Sequence, residues 1–60
     1  MNEFNVEDIV VINNPDSPFN KLQGTITEVI FSENKGYLYR IVVDHTCMIT
    51  LESERVLTYA

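Results

Sequence analysis

Sixty residues, nine of them Asp or Glu against four Lys or Arg, give a chain of net charge −5 that is 45% hydrophobic. That apolar content suffices for one small core and argues against disorder. The surplus of acid argues against binding to DNA, RNA or anionic membranes, all of which recruit Lys and Arg.

A chain of this length buries only about 60% of the surface it exposes when unfolded, so a single domain over residues 1–60 is expected. Cys47 is the one cysteine. It allows no disulfide framework, fits a reducing, cytoplasmic setting, and reads as a small apolar strand residue. No apolar run approaches the ~20 residues needed to span a bilayer. Met1-Asn2-Glu3-Phe4 has neither the basic nor the apolar region of a signal peptide.

The first strand is expected within Val6–Ile12, where Ile9-Val10-Val11-Ile12 puts four β-branched residues in a row. Asn13-Asn14-Pro15-Asp16-Ser17-Pro18 is a loop, with Phe19 near its end as an anchor packed over one end of the core. Gly24–Phe31 is the second strand, and Ser32–Gly36 a polar turn in which Gly36 tolerates positive φ. Tyr37–Val43 is the third strand, ended by Asp44-His45, and Thr46–Leu51 the fourth. Glu52-Ser53-Glu54 reads as a tight 3₁₀ turn, and Arg55–Thr58 as the last strand. No window carries a sustained helical stripe. The expected fold is all-β, a five-stranded barrel with at most one short 3₁₀ turn, because closure removes the exposed edges of so small a sheet.

Alternation assigns the inward face. Val10 and Ile12 share it in strand one; Tyr39, Ile41 and Val43 in strand three; Cys47, Ile49 and Leu51 in strand four. In strand two Ile26 is out of phase with Val29 and Phe31. A β-bulge near Thr27-Glu28 would turn all three inward.

The spacing of these elements over residues 4–57 resembles the SH3-like barrels of the KOW type, including bacterial and phage-encoded members. The resemblance rests on Glu7-Asp8-Ile9-Val10-Val11-Ile12, Gly24-Thr25-Ile26-Thr27-Glu28-Val29, Tyr39-Arg40-Ile41-Val42-Val43-Asp44 and the closing Glu52-Ser53-Glu54-Arg55-Val56. It implies a five-stranded SH3-like barrel. Barrels of this type serve as ribosomal proteins, transcription-factor domains and small subunits of photosystem I and of nitrile hydratase, so the resemblance alone implies no single function. The chain departs from the family's pattern at Glu7, where glycine is usual. It departs again at Asn13–Asn20, which lacks the basic residues of nucleic-acid-binding members.

Chemistry has little foothold. Asp44, His45 and Cys47 are neighbours, but no second Cys or His completes a metal site, and no metal or cofactor is expected. No nucleophile motif or phosphate loop is present, and Glu52 and Glu54 are expected to point into water. Tyr39 and Phe31 face the core by parity, which leaves Tyr37 alone at a turn.

The outward parity is more informative. Leu38, Arg40 and Val42 face out, with Ile9, Val11, Ile30 and Met48. The expected function is a non-catalytic module that docks on a partner protein through Ile9, Val11, Leu38, Arg40 and Val42, with an acidic rim steering it to basic surfaces, as a monomer or weak homodimer. One alternative is a KOW-like domain associated with nucleic acid or ribosomes, which would need Lys21, Lys35, Arg40 and Arg55 on one side. Another is an acidic inhibitor that mimics nucleic acid through Glu3, Glu7, Asp8 and Asp16.

Overall fold

A computed structural model describes residues 2–60. The strands are β1 (Ile9–Ile12), β2 (Gln23–Ser32), β3 (Gly36–Val43), β4 (Ile49–Ser53) and β5 (Leu57–Tyr59), with one 3₁₀ turn, Glu54–Val56, between β4 and β5. All pair antiparallel in one sheet of order β4-β3-β2-β1-β5. The edge strands β4 and β5 are consecutive in the chain and linked by the 3₁₀ turn alone, so the sheet must curl until its edges approach. This is the expected all-β, five-stranded arrangement with one short 3₁₀ turn. No helix among the described residues is long and apolar enough to cross a membrane.

The predicted bulge lies where the hydrophobic phase broke. Ile26 pairs with Ile41 and Glu28 with Arg40, leaving Thr27 as the extra residue. Its Oγ1 donates to the Arg40 carbonyl at 3.3 Å. Ile26 and Val29 thus both face the core despite their odd spacing. Just before the bulge, the β3 side of Gly24 has no room for a side chain. A Cβ on Gly24 would lie 2.4 Å from Ile41 Cγ2 and 2.7 Å from the Val42 carbonyl oxygen. The tight neighbour of Gly24 is therefore β3, and only glycine permits that approach.

Phe4, Val10, Ile12, Ile26, Tyr39, Ile41, Val43 and Leu57 form the core, with Phe19, Val29, Tyr37 and Val56 packed against it. Phe19 is the anchor the loop reading required. Phe4 comes from the segment ahead of β1. Its ring meets Tyr39 edge-on at 5.5 Å and Tyr59 at 4.8 Å, and its N–H donates to the Tyr39 hydroxyl at 3.3 Å. The same segment is tied to β2, where the Glu7 N–H donates to the Ile26 carbonyl and the Ile26 N–H to the Asp8 carbonyl.

Four expectations are corrected. The fourth strand begins at Ile49, not Thr46, because His45 takes a positive φ of 65° and Thr46–Met48 remain in the connection. Cys47 is exposed there, and Ile49 and Leu51 point away from the core, 58% and 51% exposed. The core-facing positions of β4 are instead Thr50 and Glu52, opposite Ile41 and Tyr39. Phe31 keeps inward parity opposite Tyr37, but it lies near the tip of the β2–β3 hairpin, beyond the core, and is 62% exposed. The last strand is Leu57–Tyr59, because Arg55 and Val56 belong to the 3₁₀ turn.

Candidate functional site

The outer face of the sheet carries an apolar row set by strand register. Ile9 pairs with Thr25, Thr25 with Val42, and Val42 with Ile49. Directly paired residues project to the same side, so the row crosses β1, β2, β3 and β4 with Thr25 as its one polar member. Ile9 is 48% exposed, and Val42 is half-buried. Leu51 extends the row along β4, opposite Arg40.

Of the residues expected on this face, Ile9 and Val42 lie in the row. Arg40 follows along β3, and Leu38 sits opposite Ile30 and Ser53. Val11 lies at the other side of the face, paired with Gln23 and Thr58. Ile49 and Leu51 are the members that alternation misses, because it assigns apolar residues on a strand to the inward face. Arg40 forms an ion pair with Glu28 across the β2–β3 ladder, both half-exposed. Asp44, just past the end of β3, accepts a hydrogen bond from Gln23 Nε2 at 2.9 Å, which puts a carboxylate on the rim.

A second feature is an open groove between the hairpin tip and the 3₁₀ turn. One part, of about 480 Å³, is lined by Glu3, Lys35, Tyr37, Glu54, Arg55 and Leu57 among others. An adjoining part, of about 350 Å³, shares Lys35, Ser53 and Arg55 and reaches Leu38 and Val56. The four cations are thus not gathered as the nucleic-acid alternative needs. Lys35 and Arg55 meet at the groove, Arg40 is paired with Glu28 on the outer face, and Lys21 lies in the β1–β2 connection at a φ of 73°. Three of the four acids of the mimicry alternative take part in hydrogen bonds within the domain. The Glu3 N–H donates to Glu54, Asp8 accepts the Asn5 N–H, and the Asp16 N–H donates to Asn14. Glu7 occupies a positive-φ position at 78°, a conformation that glycine adopts freely.

Glu52 and Glu54, expected in water, are both engaged. Glu52 is only 5% exposed. Its carboxylate accepts from Asn14 Nδ2 at 3.1 Å, Ser17 Oγ at 3.1 Å and Thr50 Oγ1 at 2.8 Å. This fastens the β1–β2 loop to β4. A charge directed inward from an edge strand also discourages addition of a further strand. Glu54 Oε1 accepts the Tyr39 hydroxyl at 2.6 Å and the Glu3 N–H at 2.7 Å. These two bonds hold its carboxyl below the usual carboxylate range.

Burial, reinforced by the bond to Glu54, pushes the Tyr39 hydroxyl up to about 12. Because the folded value lies above the ordinary 10.0, neutral Tyr39 stabilises the fold below that pH, and the contribution is lost as pH rises towards 12. The urea midpoint is therefore expected to fall from pH 10 upward. Tyr39→Phe should flatten the fall without abolishing it, because burial and the neighbouring Asp8 also raise Tyr59. An unchanged slope in Tyr39→Phe would contradict this assignment.

Phe31 and Tyr37 pair at the hairpin tip with ring centroids 5.2 Å apart. Tyr37 is therefore not alone, and it borders the groove. No group of three or more His, Cys, Asp or Glu side chains among the described residues is arranged to hold a metal ion. No protein-family model matches the chain, and no curated protein or solved structure matches it either.

Proposed function

We propose that this domain is a non-catalytic binding module that docks on a partner protein through the outer face of its sheet. The observation that carries the reading is the in-register row Ile9–Thr25–Val42–Ile49, continued by Leu51. Contiguous exposed apolar surface on a small protein is costly to maintain and commonly marks a contact surface. Val11, Leu38 and the aliphatic part of Arg40 extend it on either side.

The rim favours a basic partner. Asp8 precedes Ile9, Asp44 closes β3, and the whole chain carries −5. Like charge opposes tight self-association, so the domain acts as a monomer or weak homodimer. A reducing, cytoplasmic setting suits the lone cysteine.

The test uses the immobilised domain and a lysate of its source cells, with and without nuclease, against a folded Ile49→Ser, Leu51→Ser double variant. Both side chains are exposed on an edge strand, so the variant should fold. A stoichiometric partner that survives nuclease and binds the variant about tenfold more weakly or worse is the expected result. A variant that holds the same partner undiminished would remove this face from consideration. Loss of all captured material with nuclease would shift the reading to the KOW-like nucleic-acid alternative.

A further inference from the structure

β4 is an edge strand, and β3 fixes which of its backbone groups are free. The Val43 N–H donates to the Met48 carbonyl at 3.0 Å. Hydrogen-bonded positions alternate along an antiparallel pair, so Ile41–Thr50 and Tyr39–Glu52 carry the next bonds. The N–H and C=O groups of Ile49 and Leu51 therefore point away from β3, along the open edge. Among the described residues, no backbone bond from elsewhere in the chain reaches them. The β1–β2 loop comes to β4 through the Asn14 and Ser17 side chains, at Glu52. Its backbone bonds go to the loop itself, to β1 and to the 3₁₀ turn.

Proline, lysine, a bulge or an inward charge guards the edge strands of stable monomers. β4 has no proline, no lysine and no break of register, and its one guard, Glu52, stands past Leu51. Thr46–Leu51 carries no charge in a chain of −5, so two copies can meet there with no acidic side chain between them. Ile49 and Leu51 are both more than half exposed.

We propose that β4 pairs antiparallel with β4 of a second copy, Ile49 opposite Leu51, about a two-fold axis at Thr50. The two free positions lie two residues apart, so one axis satisfies both: each Ile49–Leu51 pair exchanges its N–H and C=O groups, and symmetry repeats the pair. On the outer face each Ile49 packs beside Leu51 of the second copy. This match of apolar to apolar position is written into the strand itself, which is why the occupant is a second copy. Neighbouring registers do worse. An axis at Ile49 would set Leu51 against Cys47, outside β4. An axis at Leu51 would bring the two Glu52 carboxylates to about 7 Å along the strand, against about 13 Å with the axis at Thr50. So short a contact falls below the roughly 1,000 Å² of a stable complex, so the dimer forms only at high protein concentration. The pairing lies in the plane of the sheet and leaves the outer face open, so it does not depend on the partner reading above.

The experiment places a spin label on Cys47, which is exposed, and mixes labelled copies with isotope-labelled, spin-free ones. In the proposed register Cys47 faces Ser53 of the second copy. Broadening of amide signals should centre on Leu51, Glu52 and Ser53, and grow as protein rises from about 0.05 to about 2 mM. Added salt should increase it, because the copies carry like charge. Leu51→Pro removes an N–H that β3 does not use, so the variant should keep its amide dispersion and associate at least about tenfold more weakly. Leu51→Ser loses the same side chain, keeps the N–H and should retain part of the association. Should Leu51→Pro not fold, Ile49→Pro, at the first position of β4, makes the same test. No broadening at the highest concentration, undiminished association in a folded proline variant, or broadening centred on Ile9 and Val42, as stacked outer faces would give, would each overturn the proposal.

Discussion

Phe4→Ala is expected to unfold most of the protein. Phe4 is 1% exposed and is shared between Tyr39 of β3 and Tyr59 of β5. Truncating a buried phenylalanine to alanine costs about 3–5 kcal/mol. A core of this size rarely supplies more than about 3–5 kcal/mol in total. The two quantities are comparable, so the variant should lose amide dispersion and a cooperative urea transition, whereas Phe4→Leu should retain both with a lower midpoint. A wild-type midpoint in Phe4→Ala would show that the segment ahead of β1 is dispensable to the core.

Glu52→Ala is expected to be the second large loss, about 2–3 kcal/mol, through a different cause. The buried carboxylate is the common acceptor for Asn14, Ser17 and Thr50. Removing it leaves three donors without their partner and a hollow beneath the β1–β2 loop. The loop's internal bonds, Ser17 N–H to the Asn14 carbonyl and Asn20 N–H to the Ser17 carbonyl, should then exchange with solvent faster than β2 and β3 do. Glu52→Gln keeps an acceptor oxygen and should lose less. If urea midpoint and loop exchange are both unchanged in Glu52→Ala, the carboxylate does not hold the loop.

These two residues also mark where the sequence could be read and where it could not. The β-branched run of β1, the alternation Tyr39-Ile41-Val43 and the phase break at Thr27 are local signals, and each appears in the structure where it was expected. Phe4 carries no local signal, because what buries it comes from Tyr39 and Tyr59, far along the chain. β4 misled for a physical reason. On an edge strand the inward positions need not be apolar if a neighbouring loop supplies donors, and Thr50 and Glu52 take those positions while Ile49 and Leu51 face out. The candidate outer face was legible on β1 and β3 and incomplete on β4 for that same reason. The groove was not legible at all. Lys35 and Arg55 converge only because the 3₁₀ turn returns the chain to the hairpin tip.

The N-terminal segment has a consequence for how the molecule assembles. The bond from the Glu3 N–H to Glu54 joins residues 51 apart, and that from the Tyr59 hydroxyl to the Glu3 carbonyl joins residues 56 apart. Contacts of such long range repay the entropy of closing the chain only after most of it has been ordered. The β2–β3 hairpin, whose strands are joined by a short turn, has no such wait. Phe4 is thus the latch of the barrel. During folding it stays in water until the remaining strands have built its socket, and a chain that opens from the native state should release that end before the hairpin parts.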